Sequence, residues 1–573
     1  MPRTAPKIPT EVHVHRTDPV YNAHAYLTKV PVSAIEPFIQ AFTEPGDLVL
    51  DVFAGSGMTG VAAAMLGRRA VLYDISVLGQ HIGRNYLNLV DAESFRIAAR
   101  RAIQRSSDLL GDVYTVPCQK CGRGADLSRR TWSQVIQCNS CNQPVNYYRA
   151  LEAASWGARP LDCPHCLETL VLRNAKRVAE EVVLDTIVCK CSKTQQEQPA
   201  ADLPPVNLAG LSIPEVHIES HRQMFQASAL QKHGLTTIAS FYSPRNLAVL
   251  AAMRQAIEAE EDEGLRDKLL FAFTSVLTRA SKRYQWSKKR PLNAANQNYY
   301  IAMVFYEWNV YDLFKRKVEA MSKSDAYVVD AMGGPLMAQQ PDVDYRLGSA
   351  DSLNLADASV DYVFTDPPFG SNIFYSDMNL FQEAWLGRFT DESLEAVVDR
   401  TTNGHKPRTA ERYAALLTAT LKEAHRVLKP AGWLSLVFSN SSGDIWALLQ
   451  RAIRDAGFVI EPDGLSLLDK GQRSVKGLAS GFEDVVTVDL VLSMRKATAS
   501  DPMPEFKSTE VDEALDEVLA NGEHISPSYV YLNVIRECLR RHWDLAPISL
   551  SAVSKALQSR GLKVDPATGL FRT

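Results

Sequence analysis

The 573-residue sequence contains no run of 18 apolar residues, which argues against a membrane-spanning helix. Its opening, MPRTAPKIPTEVHVHRTDPVY, lacks the apolar stretch of a secretory leader, so a cytoplasmic protein with no membrane partner is expected. Charge of one sign is lacking too. Lys and Arg number 62 against 66 Asp and Glu, a net charge of −4, so any attraction to a polyanion must come from local patches. Cysteine is scarce outside one block: of nine, eight fall between Cys118 and Cys191, Cys538 stands alone, and residues 342–497 have none. Six of the eight form CxxC pairs, a pattern that suits metal binding in a reducing compartment better than a disulfide framework. The rest is ordinary. A hydrophobic fraction of 46% and a charged fraction of 22% exclude global disorder, collagen and one long coiled coil, and the length allows several domains.

A Pro-punctuated arm leads into an expected helix over Val32–Phe42. Pro45-Gly46 then turns the chain into the short apolar strand Leu48–Asp51. Phe53-Ala-Gly-Ser-Gly57, a helix from Met58 and a second strand ending at Asp74 complete one βαβ unit. Strand character returns only at Asp361–Thr365, then at Trp433–Phe438 and Val485–Val491. The economical account is one α/β core over 31–110 and 342–497, preceded by an arm over 1–30. A cysteine-rich insert over 111–195 and a mainly helical insert over 196–341 interrupt it. A small helical or winged-helix-like tail over 500–573 follows, with a turn at Asp565–Gly569.

Two stretches carry chemistry. Glycines at 55 and 57, between a strand end and a helix start, allow a tight turn and close approach of a ligand to unpaired N–H groups. Asp51 and Phe53 belong to the same turn, and Asp74 can accept from both hydroxyls of a ribose. The pattern is not GxGxxG, so a dinucleotide is not the natural ligand. Asp351, after an expected third strand, can accept from an adenine amino group. The second stretch, Asp366-Pro367-Pro368-Phe369, ends a fully apolar strand. Asp366 and the Pro367 carbonyl can accept the two hydrogens of an exocyclic amine, the prolines fix the backbone, and Phe369 can stack on a planar ring.

These two motifs resemble those of S-adenosylmethionine-dependent amino-methyltransferases, which modify adenine N6 or cytosine N4 in DNA. Asp51-Val-Phe-Ala-Gly-Ser-Gly57 is similar to their cofactor motif, and Asp366–Phe369 to their catalytic [D/N/S]PP[Y/F/W] motif. His24-Ala-Tyr-Leu-Thr-Lys29-Val-Pro31 resembles the segment that caps the methionine part of the cofactor, which implies a role there for Lys29. The stretch DPPFGSNIFYSDMNLFQEAW resembles a subgroup with zinc ribbons between the two half-cores. The resemblance implies a Rossmann-like methyltransferase fold, S-adenosylmethionine as cofactor, duplex DNA as partner and a setting in bacterial restriction-modification or phage defence, with separate restriction or defence proteins alongside. It also favours adenine over cytosine. The cysteine-free second half-core argues against the alternative route through thiolate attack on a pyrimidine. Methylation of an RNA base, and a non-catalytic zinc-dependent DNA-binding protein on a methyltransferase-like scaffold, are the competing readings.

Taken in sequence order, Cys118, Cys121, Cys138 and Cys141 have the spacing of one four-thiolate zinc ribbon, and Cys163, Cys166, Cys189 and Cys191 of a second. His165 reads as a knuckle residue, not a ligand. The stretch Arg279, Lys282, Arg283, Trp286, Lys288, Lys289 and Arg290 carries six basic residues with no acid between, a candidate nucleic-acid face. Arg245, Asn296 and Asn298 are further candidates for substrate contact.

Overall fold

The computed structural model describes residues 6–14, 17–156, 160–172, 175–288, 292–293, 299–334, 340–370, 373–398, 409–470, 486–501, 505–521, 526–563 and 565. Two compact units emerge: one from 1–89, 323–376 and 390–573, the other from 90–322 and 377–389.

The first unit is built on an eight-stranded sheet. In chain order its strands are β1 (Glu11–His13), β2 (Leu48–Asp51), β3 (Arg69–Asp74), β4 (Val343–Leu347), β5 (Val360–Thr365), β6 (Leu428–Phe438), β7 (Phe458–Asp469) and β8 (Asp489–Lys496). Their spatial order is β1-β7-β8-β6-β5-β2-β3-β4. The run from β4 to β6 is parallel, whereas β8 is antiparallel to both neighbours. Strands covered on both faces read as continuous apolar runs, and β5, with all six residues buried, is the clearest case. Helix α1 (Val32–Phe42) covers β5, its Phe38 and Phe42 lying 5.7 and 5.1 Å from the rings of Phe364 and Tyr362. Helices α2 (Met58–Met65), α3 (Val77–Tyr86), α4 (Ala410–Val427) and α5 (Gly443–Asp455) complete the described core layers. The chain leaves β2 toward β3 and β4 on one side and reaches β5 and β6 on the other. The ends of β2 and β5 therefore flank the switch point where open α/β sheets bind ligands. This is a mixed α/β, methyltransferase-like core.

The arm contributes β1, a parallel edge strand on β7. The tail packs on the α/β core. Val530, Leu532, Val534 and Ile535 share one hydrophobic core with Leu436 and Trp446, and the Tyr531 hydroxyl donates to the Asn440 carbonyl over 2.9 Å. A face this apolar cannot remain in water. Most of the Asp565–Gly569 turn lies outside the described residues.

The second unit begins at Val90, so residues 90–110, expected in the core, belong to it. Helix Ala92–Leu110 lies along helix Pro244–Glu258, with Arg101 paired to Glu260 over 2.7 Å. The unit's sheet is antiparallel around two long strands, Gly124–Gln137 and Arg177–Val188, flanked on one side by Val304–Trp308 and on the other by Gln196–Pro199.

Candidate functional site

The turn after β2 is the tightest part of the site. Gly57, the N-cap of α2, has φ +77°, and a Cβ placed on it would lie 2.7 Å from the Gly83 Cα. Two constraints at one position, a left-handed backbone and a helix pressed against it, admit no side chain. Gly79 approaches the Gly55 carbonyl in the same way, so α3 presents a small-residue face, Gly79 and Gly83, to the motif. That face is a four-residue glycine spacing legible in the sequence but not singled out there. The Gly55 carbonyl is further held by the Tyr345 hydroxyl at 2.6 Å.

Asp51 Oδ1 accepts from the Phe53 N–H at 3.1 Å and the Thr365 hydroxyl at 2.8 Å, and its Oδ2 accepts from the Thr59 hydroxyl at 2.6 Å. Burial lifts its pKa to about 6 against the pull of those three donors. The carboxylate thus bridges the ends of β2 and β5, beside the turn where it was expected to meet a cofactor. Asp74 accepts from the Gly55 N–H at 2.7 Å on Oδ2 and the Ser76 N–H at 2.8 Å on Oδ1. Burial raises its pKa as well. With the Ile75 N–H also acting on it, the carboxylate still has capacity to accept from a ribose hydroxyl. Asp351 is half-buried four residues beyond β4, whose end pairs with that of β3. Phe53 is half-buried against the core.

Lys29, expected at the cofactor's methionine end, is buried, and its ammonium donates to the carbonyls of Tyr21 at 2.5 Å and His24 at 2.7 Å and to the Tyr86 hydroxyl at 3.0 Å. These bonds pin the arm. What the arm brings to the turn is Tyr26, whose ring lies 3.3 Å from the position of a Gly55 Cβ, and Thr28, bonded to the Tyr375 hydroxyl at 2.8 Å.

At the end of β5 the backbone carbonyls are sorted. The Pro368 carbonyl accepts from Tyr413 at 2.7 Å and the Phe369 carbonyl from Asn440 at 2.6 Å. Among the described residues none donates to the Pro367 carbonyl. Phe369 is half-buried with its ring edge-on to Phe438 at 5.2 Å. Burial pushes the Asp366 pKa up to about 8; Lys470 pulls it down, while Asp489 and Asp51 push it up. Lys470 and Asp489 are ion-paired with each other. Thr365, Tyr413, Asn440 and this pair went unread in the sequence, because nothing local marks them as neighbours of Asp366.

The cysteines form two four-thiolate clusters, but not in sequence order. Cys118, Cys121, Cys189 and Cys191 gather at one place, and Cys138, Cys141, Cys163 and Cys166 at another. The cause is the antiparallel pairing of the two long strands. Asp126 sits opposite Val188 and Ile136 opposite Arg177, so the knuckle before the first strand meets the one after the second. The clusters therefore cap opposite ends of a ribbon on the order of 40 Å long. Sulfur atoms lie 3.6 and 3.7 Å apart in the first and 3.7 and 3.8 Å in the second. Four thiolates about 2.3 Å from a zinc ion have tetrahedral edges of about 3.8 Å, so the donor sets fit. His165 stands outside both clusters, its Nε2 within 3.2 Å of the Pro144 carbonyl.

Among its described residues, the basic stretch is partly buried. Arg283 is 2% exposed and lies over the rings of Tyr299 and Phe381, and burial lowers its pKa. Lys282 is paired with Glu180 at 2.8 Å, and Trp286 packs on Tyr148 and Trp156. Arg245 joins Glu307 and the Val113 carbonyl. Lys288 is exposed, with its ammonium over Trp156. Lys289, Arg290, Asn296 and Asn298 lie outside the described residues.

Residues 6–78, spanning the arm, β2, the glycine turn and β3, match a family model described as DNA methylase. The chain is 52% identical over 44 residues to "Putative methylase YubD" of Escherichia coli (strain K12), a match covering 8% of this chain and 19% of that protein. It is 39% identical over 77 residues to "Type II methyltransferase M.Cfr9I" of Citrobacter freundii, covering 13% of this chain and 26% of that one. The matched part thus spans about a fifth of one relative's length and about a quarter of the other's. No described helix is long and apolar enough to cross a membrane.

Proposed function

We propose that this chain is an S-adenosylmethionine-dependent amino-methyltransferase acting on a base in duplex DNA. One observation carries the reading: Asp51 couples the glycine turn at the end of β2 to the Asp-Pro-Pro-Phe segment at the end of β5 through a single buried hydrogen-bond bridge. A cofactor turn and an amine receptor locked at adjacent strand ends are what direct transfer between two bound molecules requires.

The cofactor fits the cradle. Left-handed glycines let the turn close tightly between strand and helix, Asp74 can accept from a ribose, and Asp351 is assigned to the adenine amine. When bound, S-adenosylmethionine supplies an electrophilic methyl on a positively charged sulfur. The chain's own residues do the rest. A base flipped from the helix enters against Phe369. Asp366 Oδ and the Pro367 carbonyl each accept one N–H of its exocyclic amine, which draws the nitrogen lone pair out of the ring and toward the methyl donor. The same oxygens stabilise positive charge growing on that nitrogen, and ionised Asp366 is placed to receive its proton. Pro368 and Phe369 cannot compete, since their carbonyls are held by Tyr413 and Asn440.

This grip addresses the amine alone, which adenine N6 and cytosine N4 share. The adenine preference implied by the resemblance is therefore dropped, and cytosine N4 stands as an equal acceptor. Zn²⁺ is assigned to both four-thiolate clusters as a structural ion. A setting in restriction-modification accords with the type II name of one relative.

Nucleoside mass analysis of unmethylated duplex DNA, incubated with the zinc-loaded protein and S-adenosylmethionine, tests the reading. N6-methyladenine or N4-methylcytosine, absent with Asp366→Ala, is the expected result. A methylated base in folded RNA but not in DNA overturns it, as does cofactor binding without any methylated base.

A further inference from the structure

Three arginines from three different elements of the second unit converge on one indole. Arg129 lies on strand Gly124–Gln137, Arg279 in the last turn of helix Glu263–Ala280, and Arg316 in helix Val310–Ala331. Their guanidinium carbons stand 5.1, 4.5 and 5.6 Å from the centre of the Trp308 ring. Arg129 is also 5.1 Å from the Tyr306 ring and Arg279 5.0 Å from that of Tyr284. Trp308 and Tyr306 are buried, whereas Arg316 is exposed, so a fixed aromatic platform carries charge out to solvent.

The charge is scarcely balanced. The carboxylate nearest Arg129 is Glu197, at 4.0 Å and on a side chain 61% exposed. Among the described residues Arg279 and Arg316 form no ion pair; Arg316 Nε donates to the Asp312 carbonyl at 3.1 Å. The buried Nε atoms of Arg129 and Arg279 have no hydrogen-bond partner. Burial and the charge of Arg279, with that of Arg129, lower the Arg316 pKa against the smaller opposing pull of Asp312 and Tyr284, and burial with Arg279 brings Lys317 to about 8. One cation over a ring is a common packing device. Three like charges around one ring repel, and an anion among them would relieve that repulsion.

We propose that Arg129, Arg279 and Arg316 form a phosphodiester-binding site that holds the backbone of the DNA substrate. The polymer's identity rests on the methyltransferase reading above; the anion site rests on the arginines themselves. Guanidinium forks match phosphate oxygens in pairs, and stacking on fixed rings orders them before binding. The site was illegible in the sequence because its members are separated by 150 and 37 positions and only Arg279 falls in the basic stretch.

The test uses the full-length, zinc-loaded protein and a fluorescent duplex, with affinity measured across salt concentration. Arg316→Ala removes an exposed side chain. It is expected to weaken binding about tenfold near physiological salt and to make the log–log salt slope shallower by about 0.9, the loss of one phosphate contact. Arg279→Gln, with full zinc content, is expected to do the same. The neighbouring exposed Lys315→Ala is expected to leave the slope unchanged. The inference is overturned if Arg316→Ala and Arg279→Gln keep the wild-type slope, if Lys315→Ala loses as much, or if the wild-type protein does not bind duplex DNA. Binding through this cluster without any methylated base sustains the inference and sinks the catalytic reading. Methylation with unshifted slopes does the reverse.

Discussion

The two units solve the problem of order in opposite ways. In the first, parallel strands buried on both faces supply a core of Val, Leu, Ile and aromatic residues, and the site is made from strand ends that this core fixes. In the second, strand Arg177–Val188 has only three of its twelve residues buried, and the strand pair ends in cysteine clusters. The first unit holds its site by packing and a buried carboxylate. The second has a smaller apolar cluster on its ribbon and, at the ribbon's two ends, the four-thiolate clusters proposed above as zinc sites. Apolar burial tolerates the loss of any one contact, whereas a metal site does not, so the two units should fail differently.

Removing zinc should therefore give the largest effect. Chelation is expected to cost on the order of 10 kcal/mol per site and to unfold the ribbon in a transition separate from that of the α/β core, as followed by calorimetry. The nested pairing has its own test in zinc content. Cys118→Ser with Cys189→Ser should lose one ion, and Cys118→Ser with Cys138→Ser should lose two; pairing in sequence order demands the opposite.

Next in size is the amine receptor. Asp366→Ala should slow methyl transfer by roughly 10²–10³ with cofactor affinity unchanged, judged by single-turnover kinetics. Because burial raises this carboxyl to about 8, it is mostly protonated below that pH, where it accepts more weakly from the amine and cannot take its proton. The transfer rate of the wild-type protein should rise as pH passes through 8 and then level off. Asp366→Asn, which keeps an accepting carbonyl and loses the titration, should be slower and flat. The same shift bears on stability: a carboxyl whose folded pKa lies above its unfolded value opposes folding increasingly as pH rises from about 4 to 8. Asp366→Asn should remove that pH-dependent loss in denaturant titrations.

Smaller effects probe how packing supports the first site. Gly57→Ala meets both a left-handed backbone and the Gly83 Cα, and should cost about 1–3 kcal/mol with a loss of cofactor affinity. Thr365→Val removes one of three donors to the buried Asp51 and should cost about 1–3 kcal/mol. Its methyl-transfer rate should fall more than its cofactor affinity if Asp51 acts by coupling the two strand ends.

What the sequence revealed follows the same division. Helix Val32–Phe42, strand Leu48–Asp51 and the motifs at their ends were legible because a few adjacent residues encode them. The cysteine spacing announced metal ligands. It did not announce their partners, because pairing depends on two strands whose register is set fifty residues apart. Arg283, read as part of a nucleic-acid face, is buried with its cation over aromatic rings, and Lys29, expected at the cofactor, meets carbonyls of its own arm. The motif around Asp51 was legible, but its bond to Thr365, 314 residues later, was not.

That distance has a consequence in time. A ribosome extends a chain at about 5–20 residues per second, so roughly a quarter of a minute to a minute separates the emergence of β3 from that of β4. Throughout that interval β2 and β3 are a two-stranded fragment with both edges open, because β4 and β5 do not yet exist. All eight clustered cysteines emerge within the same window. Vectorial synthesis thus lets the insert fold and gather its cysteines before the half of the sheet that precedes it can close, and leaves two apolar strands unpaired at their outer edges meanwhile.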